Sequence, residues 1–313
     1  MMSANQDTSN NNNMMSSCAS CGTAEGDGVQ LRTCTACKSV RYCGVTCQKN
    51  HRPKHKKACK ERAAELRDEI LSKQPEGTHL GDCPICFLPH SLDESKYVTH
   101  ECCSKIVCEG CDFANLIRAR EERLVFTCPF CRDTAEKDEA KQRLLKRVQA
   151  NDPNALARMG KKRYEEGNYT EAFQYCSKAA ELGNADAHYR LSILYRKGQG
   201  VEKNEKKWPY HAEEAAIRGH VDARYVLALY ELSKFRPEMA KKHLMIAVNL
   251  GHDESLKELK LWYTSGREVY VSLGGMVSKE DFAAALRAHK AAVDATKSPH
   301  RDTVKAFKAA RKM

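Results

Sequence analysis

Fifteen of the sixteen cysteines lie between Cys18 and Cys131, nearly all in pairs separated by two or three residues. The first run is Cys18-x2-Cys21, Cys34-x2-Cys37, Cys43-x3-Cys47 and His55-x3-Cys59. The second is Cys83-x2-Cys86, Cys102-Cys103, Cys108-x2-Cys111 and Cys128-x2-Cys131. Thiolates at such spacing can turn both sulfurs toward one ion, and four such ligands close a tetrahedral Zn²⁺ site. Fifteen cysteines and one histidine therefore suffice for four zinc ions, two in each of two successive modules. Dense cysteine also builds disulfide frameworks in small secreted domains. Here the N-terminal stretch holds no apolar signal segment, and the second half is cysteine-poor and lysine-rich. The expectation is zinc, in a reducing compartment, cytoplasmic or nuclear.

Elements must hold these ligands in place. The x3 spacings imply helical turns, because residues four apart share a helix face, and Ala58 to Leu71 reads as a helix. Beyond Arg132 the composition turns to Ala, Leu, Lys and Glu, which favours helix. A repeat aligns AAELGNADAHYRL (from Ala179), AAIRGHVDARYVL (from Ala215) and AVNLGHDESLKEL (from Ala247), with Gly183, Gly219 and Gly251 spaced by 36 and 32 residues. Asp152 lies 32 residues before Asn184 and fills the same slot, so an earlier unit begins there. Such a period signals helix pairs stacked into a solenoid. Cys176 reads as a buried structural thiol, and Pro209 sits near a helix start, where proline is tolerated. Ser278 to Asp281 has the form of a capping box, with Phe282, Leu286 and Val293 on one face of a helix that seals the last repeat. Ser298-Pro299 ends it.

The formal charge of +11 invites a nucleic-acid reading. Nine Lys or Arg against one acid between Lys38 and Arg62 carry much of it. Metal ligation changes the balance: four dications add eight charges and fifteen thiolates remove fifteen, leaving +4. Lys54 to Lys60 then reads as a solvated helix face, and no nucleic acid is expected as a partner. No stretch approaches the roughly 20 apolar residues that span a bilayer, so no membrane contact is expected.

The stretch RYCGVTCQKNHRPKHKKAC resembles the second half of a MYND-type zinc finger, and the likeness covers Cys18 to Cys59 with all eight ligand positions filled. The resemblance implies interleaved pairing: Cys18, Cys21, Cys43 and Cys47 on one ion, Cys34, Cys37, His55 and Cys59 on the other. His51 stands where many family members carry Trp. The second run, Cys83-Pro-Ile-Cys86 through Cys128-Pro-Phe-Cys131-Arg132, is similar to an all-cysteine RING domain. That likeness implies a cross-brace of Cys83, Cys86, Cys108 and Cys111 against Cys102, Cys103, Cys128 and Cys131. It departs from the RING pattern in its adjacent third and fourth ligands, which leaves His100 open as a replacement for Cys102 or Cys103. The RING resemblance also implies that Ile85 and Pro129 form an apolar patch gripping an E2 enzyme, and that Arg132 hydrogen-bonds E2 and ubiquitin. The unit from Ala185 to His220, with Tyr195-x2-Gly198-x-Gly200-Val201, looks like a Sel1-like repeat, a relative of the tetratricopeptide repeat. The combination resembles an expanded diatom family of RING and Sel1-repeat proteins.

The expected fold is mainly α: two small zinc-stabilised modules, MYND-like and RING-like, followed by an α-helical repeat solenoid. The expected organisation is a disordered tail at 1–17, the MYND finger at 18–59, a helix and linker at 60–82 and the RING module at 83–132. A linker helix at 133–151, repeats at 152–265 and a capping helix at 277–298 follow. The expected function is a zinc-binding RING-type E3 ubiquitin ligase. Its RING takes charged E2 and ubiquitin, with no covalent catalytic residue of its own, and its repeats hold an unidentified protein substrate. The alternative is a non-enzymatic zinc-dependent adaptor.

Overall fold

A computed structural model describes residues 16–26, 28–134, 137–265 and 277–310. Most of the expected N-terminal tail lies outside the described residues. The chain forms two compact units, one ending at Lys73 and one starting at Gln74.

In the first unit, β1 (Arg32–Thr33) and β2 (Arg41–Tyr42) pair antiparallel, with Arg32 opposite Tyr42. Helix α1 (Val45–Leu71) follows at once. The sequence places helix only around the x3 ligand pairs and from Ala58 onward; one continuous helix of 27 residues spans both. Pro53 sits inside it, where it removes one backbone donor near the N-terminal end. The core is small: Cys18, Leu31, Cys34, Cys37 and Tyr42, with Val29 and Val40 packed against them.

The second unit begins with the other cysteine module. A short 3-10 turn (Glu94–Lys96) leads into β3 (Tyr97–Thr99), which pairs antiparallel with β4 (Ile106–Cys108), and α2 (Glu109–Glu121) follows. Helix α3 (Lys137–Gln149) leads into the array: α4 (Pro153–Glu165), α5 (Tyr169–Glu181), α6 (Ala185–Lys197), α7 (Lys207–Ile217), α8 (Val221–Ser233), α9 (Pro237–Asn249) and α10 (Asp253–Ser265). The strongest packing is within the pairs α4/α5, α6/α7 and α8/α9, and each pair rests on the next. Asp152, Asn184 and His220 each cap the N-terminus of the first helix of a pair, their side chains accepting from backbone N–H groups of its first turn. That shared slot is the Asp152/Asn184 correspondence visible in the sequence.

Close helix approach rests on small residues. Ala155, Ala172, Ala179, Ala187, Ala215 and Ala247 are fully buried. A Cβ on Gly160 would meet Cys176 Sγ at 2.5 Å, so this thiol fills the space the glycine leaves. Burial pushes the Cys176 thiol up to about 12, as befits a structural cysteine.

Two expectations are revised. Ser72 to Asp82 forms no regular element, yet from Gln74 on it is fastened to the array and is no free linker. Asn249 Nδ2 donates to Gln74 Oε1 at 3.1 Å, and the His79 backbone N–H donates to Gly219 O at 3.1 Å. Gly219 has φ +82, and a Cβ there would lie 2.3 Å from Gly77 O. Gly219→Ala should therefore cost about 1–3 kcal/mol. Urea denaturation together with proteolytic cutting between residues 72 and 82 checks this; unchanged resistance at both would refute the docking.

The capping helix α11 (Lys279–Ala295) forms the expected Ser278/Asp281 capping box. It seals α9 and α10 with Phe282 and Ala285, Phe282 stacking on Tyr263 at 5.0 Å. Leu286 does not share that contact face and is exposed, because the buried stripe runs through Phe282, Ala285 and His289. The helix stops at Ala295, ahead of Ser298-Pro299 as expected, and a further helix, α12 (Pro299–Ala310), starts at that proline and packs on α2.

Candidate metal centres

The structure gathers the sixteen expected ligand residues into four groups, and they interleave as the resemblances imply. The groups are Cys18/Cys21/Cys43/Cys47, Cys34/Cys37/His55/Cys59, Cys83/Cys86/Cys108/Cys111 and Cys102/Cys103/Cys128/Cys131. No cysteine is disulfide-bonded.

One local device recurs. After Cys18-x2-Cys21, Cys34-x2-Cys37, Cys83-x2-Cys86 and Cys128-x2-Cys131, the next residue adopts a left-handed backbone. Gly22, Lys38, Phe87 and Arg132 have φ of 76, 53, 56 and 61. Each donates its N–H to the carbonyl of the first cysteine, at 2.8, 3.0, 2.8 and 2.9 Å. This tight turn brings both sulfurs to one side. Ser104 makes the same turn, φ 54, with its N–H on His100 O at 2.8 Å. His100 nevertheless faces elsewhere, with Nε2 3.2 Å from Asp112 Oδ1, while Cys102 Sγ lies 3.4 Å from Cys131 Sγ. The geometry thus brings Cys102 and Cys103 to this group and leaves His100 outside it.

Distances test whether zinc fits. Tetrahedral bonds of roughly 2.3 Å to sulfur place neighbouring sulfurs about 3.8 Å apart. Observed separations are 3.6 Å for Cys21–Cys43, 3.8 Å for Cys34–Cys59, 3.8 Å for Cys86–Cys108 and 3.9 Å for Cys103–Cys128. A disulfide would bring sulfurs to about 2.05 Å. In the second group His55 Nε2 lies 3.3 Å from Cys37 Sγ. His55 and Cys59 reach it from one face of α1, one helical turn apart.

Electrostatics agree. Hydrogen bonds to Cys47, Cys21 and Cys18 push Cys43 up to about 12. Burial, then Cys34 and Cys37, push Cys59 to about 11. Burial raises Cys111 to about 12 and Cys103 to about 11. Cys83 goes the other way, held down to about 3 by its hydrogen bond with Cys108, against its own burial. Four crowded sulfurs cannot all ionise without a compensating cation, and a dication supplies that compensation while releasing protons. Burial, then His51, keep His55 below its usual range, which leaves it neutral and ready to ligate. Where many family members carry Trp, His51 stacks on His55 at 5.5 Å and meets the Tyr42 hydroxyl at 3.1 Å.

The RING-like residues are placed unevenly. Ile85 is 38% exposed, and beside it Phe87 is 76% exposed. Pro129 is buried, contrary to its expected place in an apolar patch, because it folds into the second knuckle while Phe130 turns outward. Arg132 is exposed. Phe87 and Phe130 are exposed apolar residues that the sequence reading did not single out. Their position inside or just after a Cys-x2-Cys turn was the available signal. Asn115 Nδ2 on α2 donates to Thr127 O at 2.8 Å and ties the second knuckle to the helix. The module also leans on the array: Arg158 donates to Thr99 O at 3.1 Å and pairs with Glu101 at 2.9 Å. A groove of about 1190 Å³ runs there, lined by Tyr97, Ile106, Lys162, Asn184 and Arg190 among others.

A further cluster, His79, Asp186 and His220, also holds its ligand atoms within 4.8 Å of one another. Its geometry does not suit an ion. The two imidazoles lie 4.0 Å apart and only 14° from parallel, so their lone pairs occupy separate planes and do not converge. Tyr189 lies against the same His220, with ring centroids 4.2 Å apart. His79 Nδ1 is buried with no hydrogen-bond partner. Burial, then the neighbouring His220, hold His79 down to about 3. Between about pH 6.5 and 3 the unfolded chain then binds a proton that the folded one refuses, so this docking loses stability as pH falls through that range. His79→Phe should flatten the decline relative to wild type in denaturation followed from pH 7.5 to pH 5. Identical pH profiles would remove His79 from the account.

Comparison with known proteins assigns two of the parts. Residues 18–59 match the family model of the MYND finger, and residues 153–184 and 185–220 match that of the Sel1 repeat. The chain carries a MYND finger and Sel1 repeats, and it is a zinc-binding, mainly helical protein. HcpC of Helicobacter pylori strain J99 is 43% identical over 56 residues, 18% of this chain and 19% of that protein. HcpC of strain 26695 is 45% identical over 52 residues, 17% of this chain and 18% of that one. The chain thus spans less than a fifth of the curated relatives it matches. Among solved structures, a Sel1 repeat protein from Oxalobacter formigenes aligns with a TM-score of 0.42 and 24% identity, over 59% of this chain and 71% of that one. A protective antigen of uropathogenic Escherichia coli with an SLR fold aligns at 0.36 and 16%, over 56% and 36%.

Proposed function

We propose that this zinc-dependent protein-interaction molecule is a RING-type E3 ubiquitin ligase holding four zinc ions, two per cysteine module. The observation that carries the reading is the second module's interleaved pair of four-sulfur groups, which presents Ile85, Phe87, Phe130 and Arg132 outward from its two knuckles. Exposed apolar residues beside a guanidinium suit a protein interface. Charged E2 docks on that face, and Arg132 immobilises the ubiquitin tail so that a substrate lysine meets a fixed carbonyl. Pro129 gives Phe130 its outward position and takes no direct part.

The array supplies the second half of the function. Its groove offers Lys162 and Glu165, with Arg190 and Asp186 paired to each other, beside Tyr97 and Ile106. A protein segment held there gains effective concentration near the E2. Sixteen free thiols accord with a reducing cytoplasm or nucleus. No helix among the described residues is long and apolar enough to cross a membrane.

The burial of Pro129 favours a second reading, a zinc-dependent adaptor that binds partners without transferring ubiquitin. A reconstituted assay with ubiquitin, E1 and a panel of E2 enzymes separates the two. Chain formation by the zinc-loaded wild type supports the ligase. Absence of transfer with every E2, from protein with full zinc content, supports the adaptor.

A further inference from the structure

We propose that Arg301, on the C-terminal helix α12, is a positioning residue for the metal-bound Cys86 thiolate, so that the Cys83/Cys86/Cys108/Cys111 centre is completed by the far end of the chain. The inference rests on zinc at that centre and on no ubiquitin chemistry.

The guanidinium of Arg301 reaches the first knuckle with both terminal nitrogens. Nη2 donates to Cys86 Sγ at 3.5 Å and to Leu88 O at 3.3 Å, and Nη1 donates to Pro89 O at 2.8 Å. Nη1 also donates to Thr296 O, and the guanidinium is hydrogen-bonded to Cys108 of the same centre, so three carbonyls and two sulfurs fix the planar fork. A hydrogen bond to a ligating thiolate spreads its charge, orients its lone pairs and blunts its attack on electrophiles, as outer partners do at metal sites generally. Arg301 is half-buried, and its bonds to Cys86 and Leu88 are part-buried.

The rest of α12 delivers the arginine. Phe307 meets Phe113 of α2 with centroids 5.0 Å apart, Lys308 pairs with Glu109, and Val304 is buried. Gly110 makes the approach possible: a Cβ there would lie 2.9 Å from Arg301 Cγ, 2.9 Å from its backbone N and 3.0 Å from His300 C. Ser298 accepts from the Arg301 N–H at 3.3 Å and starts the helix in the right place. The first half of the metal centre is thus held by residues more than 200 positions away in sequence. The other three centres have no comparable guanidinium–sulfur bond among the described residues.

The experiment uses the full chain, first assayed for zinc content, so that a wild type lacking zinc at this centre is recognised before any variant is compared. Chelator competition with a pyridylazo-resorcinol indicator reports metal release. Timed N-ethylmaleimide labelling with peptide mapping reports the reactivity of Cys86. Arg301→Met, which keeps the stem and removes the donors, should release one zinc about 10–100-fold more readily and make Cys86 the first cysteine labelled. Arg301→Lys should recover part of both. Gly110→Val, with Arg301 intact, should reproduce the Met phenotype by displacing α12. Wild-type release and labelling in Arg301→Met would overturn the proposal. So would equal losses in the Met and Lys variants with helix content unchanged by circular dichroism, because packing of α12 alone would then account for the effect.

Discussion

Stripping the zinc with a strong chelator will unfold the first unit around its finger and loosen the second cysteine module, while the helical array keeps its structure. The first unit's core is Cys18, Leu31, Cys34, Cys37 and Tyr42, and three of those five are ligand residues. With two paired residues in each strand, little else restrains the loops. Metal binding of about 10–16 kcal/mol per structural site then supplies most of the folding free energy, against a net stability of only ~5–15 kcal/mol for ordinary domains. The array depends on different physics. Leu156, Leu191, Leu194, Leu227, Leu244 and Leu259 are all buried there, beside a series of fully buried alanines. Chelation followed by far-ultraviolet circular dichroism should leave most of the helical signal. Proton–nitrogen spectra should lose the dispersed peaks of residues 16–60 and of the 83–132 region. Loss of the whole helical signal would show that the array needs metal too, and would refute this division of labour. Because three or four thiols per centre must lose protons to bind, release by a fixed chelator concentration should also steepen as pH falls, the sign expected when thiolate is the ligating form.

Arg132→Ala should lower ubiquitin discharge from charged E2 by roughly 10–100-fold while zinc content and helix content stay at wild-type values. Such a loss is of the size that misplacing a reacting group by about an ångström produces. The backbone of residue 132 donates to Cys128 O at 2.9 Å and keeps φ 61, and alanine can make the same turn, so the knuckle survives the change. Ile85→Ala should lower E2 binding instead, since it removes exposed apolar surface and no metal ligand. Phe130→Ala should match Ile85→Ala and exceed Pro129→Ala in that assay, because Phe130 is the exposed member of the second knuckle. Single-turnover discharge to free lysine reads the arginine, and E2 titration reads the apolar residues. Unchanged discharge in Arg132→Ala, from a wild type that transfers ubiquitin, would remove the arginine from the mechanism.

Much of this was legible along the chain, for reasons that differ by element. Zinc ligation is a local event at the level of each pair. Four of the five Cys-x2-Cys pairs close on themselves through a left-handed fifth residue, and the remaining pair, Cys108-x2-Cys111, opens α2. The repeat was readable because its requirements recur: a capping residue at 152, 184 and 220, glycine before the second and third of them, and alanine where helices touch. The stacking of His51 on His55 and its contact with the Tyr42 hydroxyl, by contrast, depend on how the strand and helix meet.

Sequence by itself thus determined the metal chemistry, the helical class and the repeat, because each depends on residues within a turn or within a period of 32 to 36 positions. Tertiary structure decided what depends on distant segments meeting. It selected Cys102 over His100, because His100 is turned to Asp112 on a helix a dozen residues on. It buried Pro129 and exposed Phe130, a choice made by how the knuckle packs on α2 through Asn115. It fastened residues 77 to 79 onto Gly219 and Gln74 onto Asn249, and it brought Arg301 to Cys86 across 215 positions. No periodicity encodes such meetings. They follow from shape, from Gly219 and Gly110 lacking a Cβ, and from donors that find acceptors only after the chain has folded.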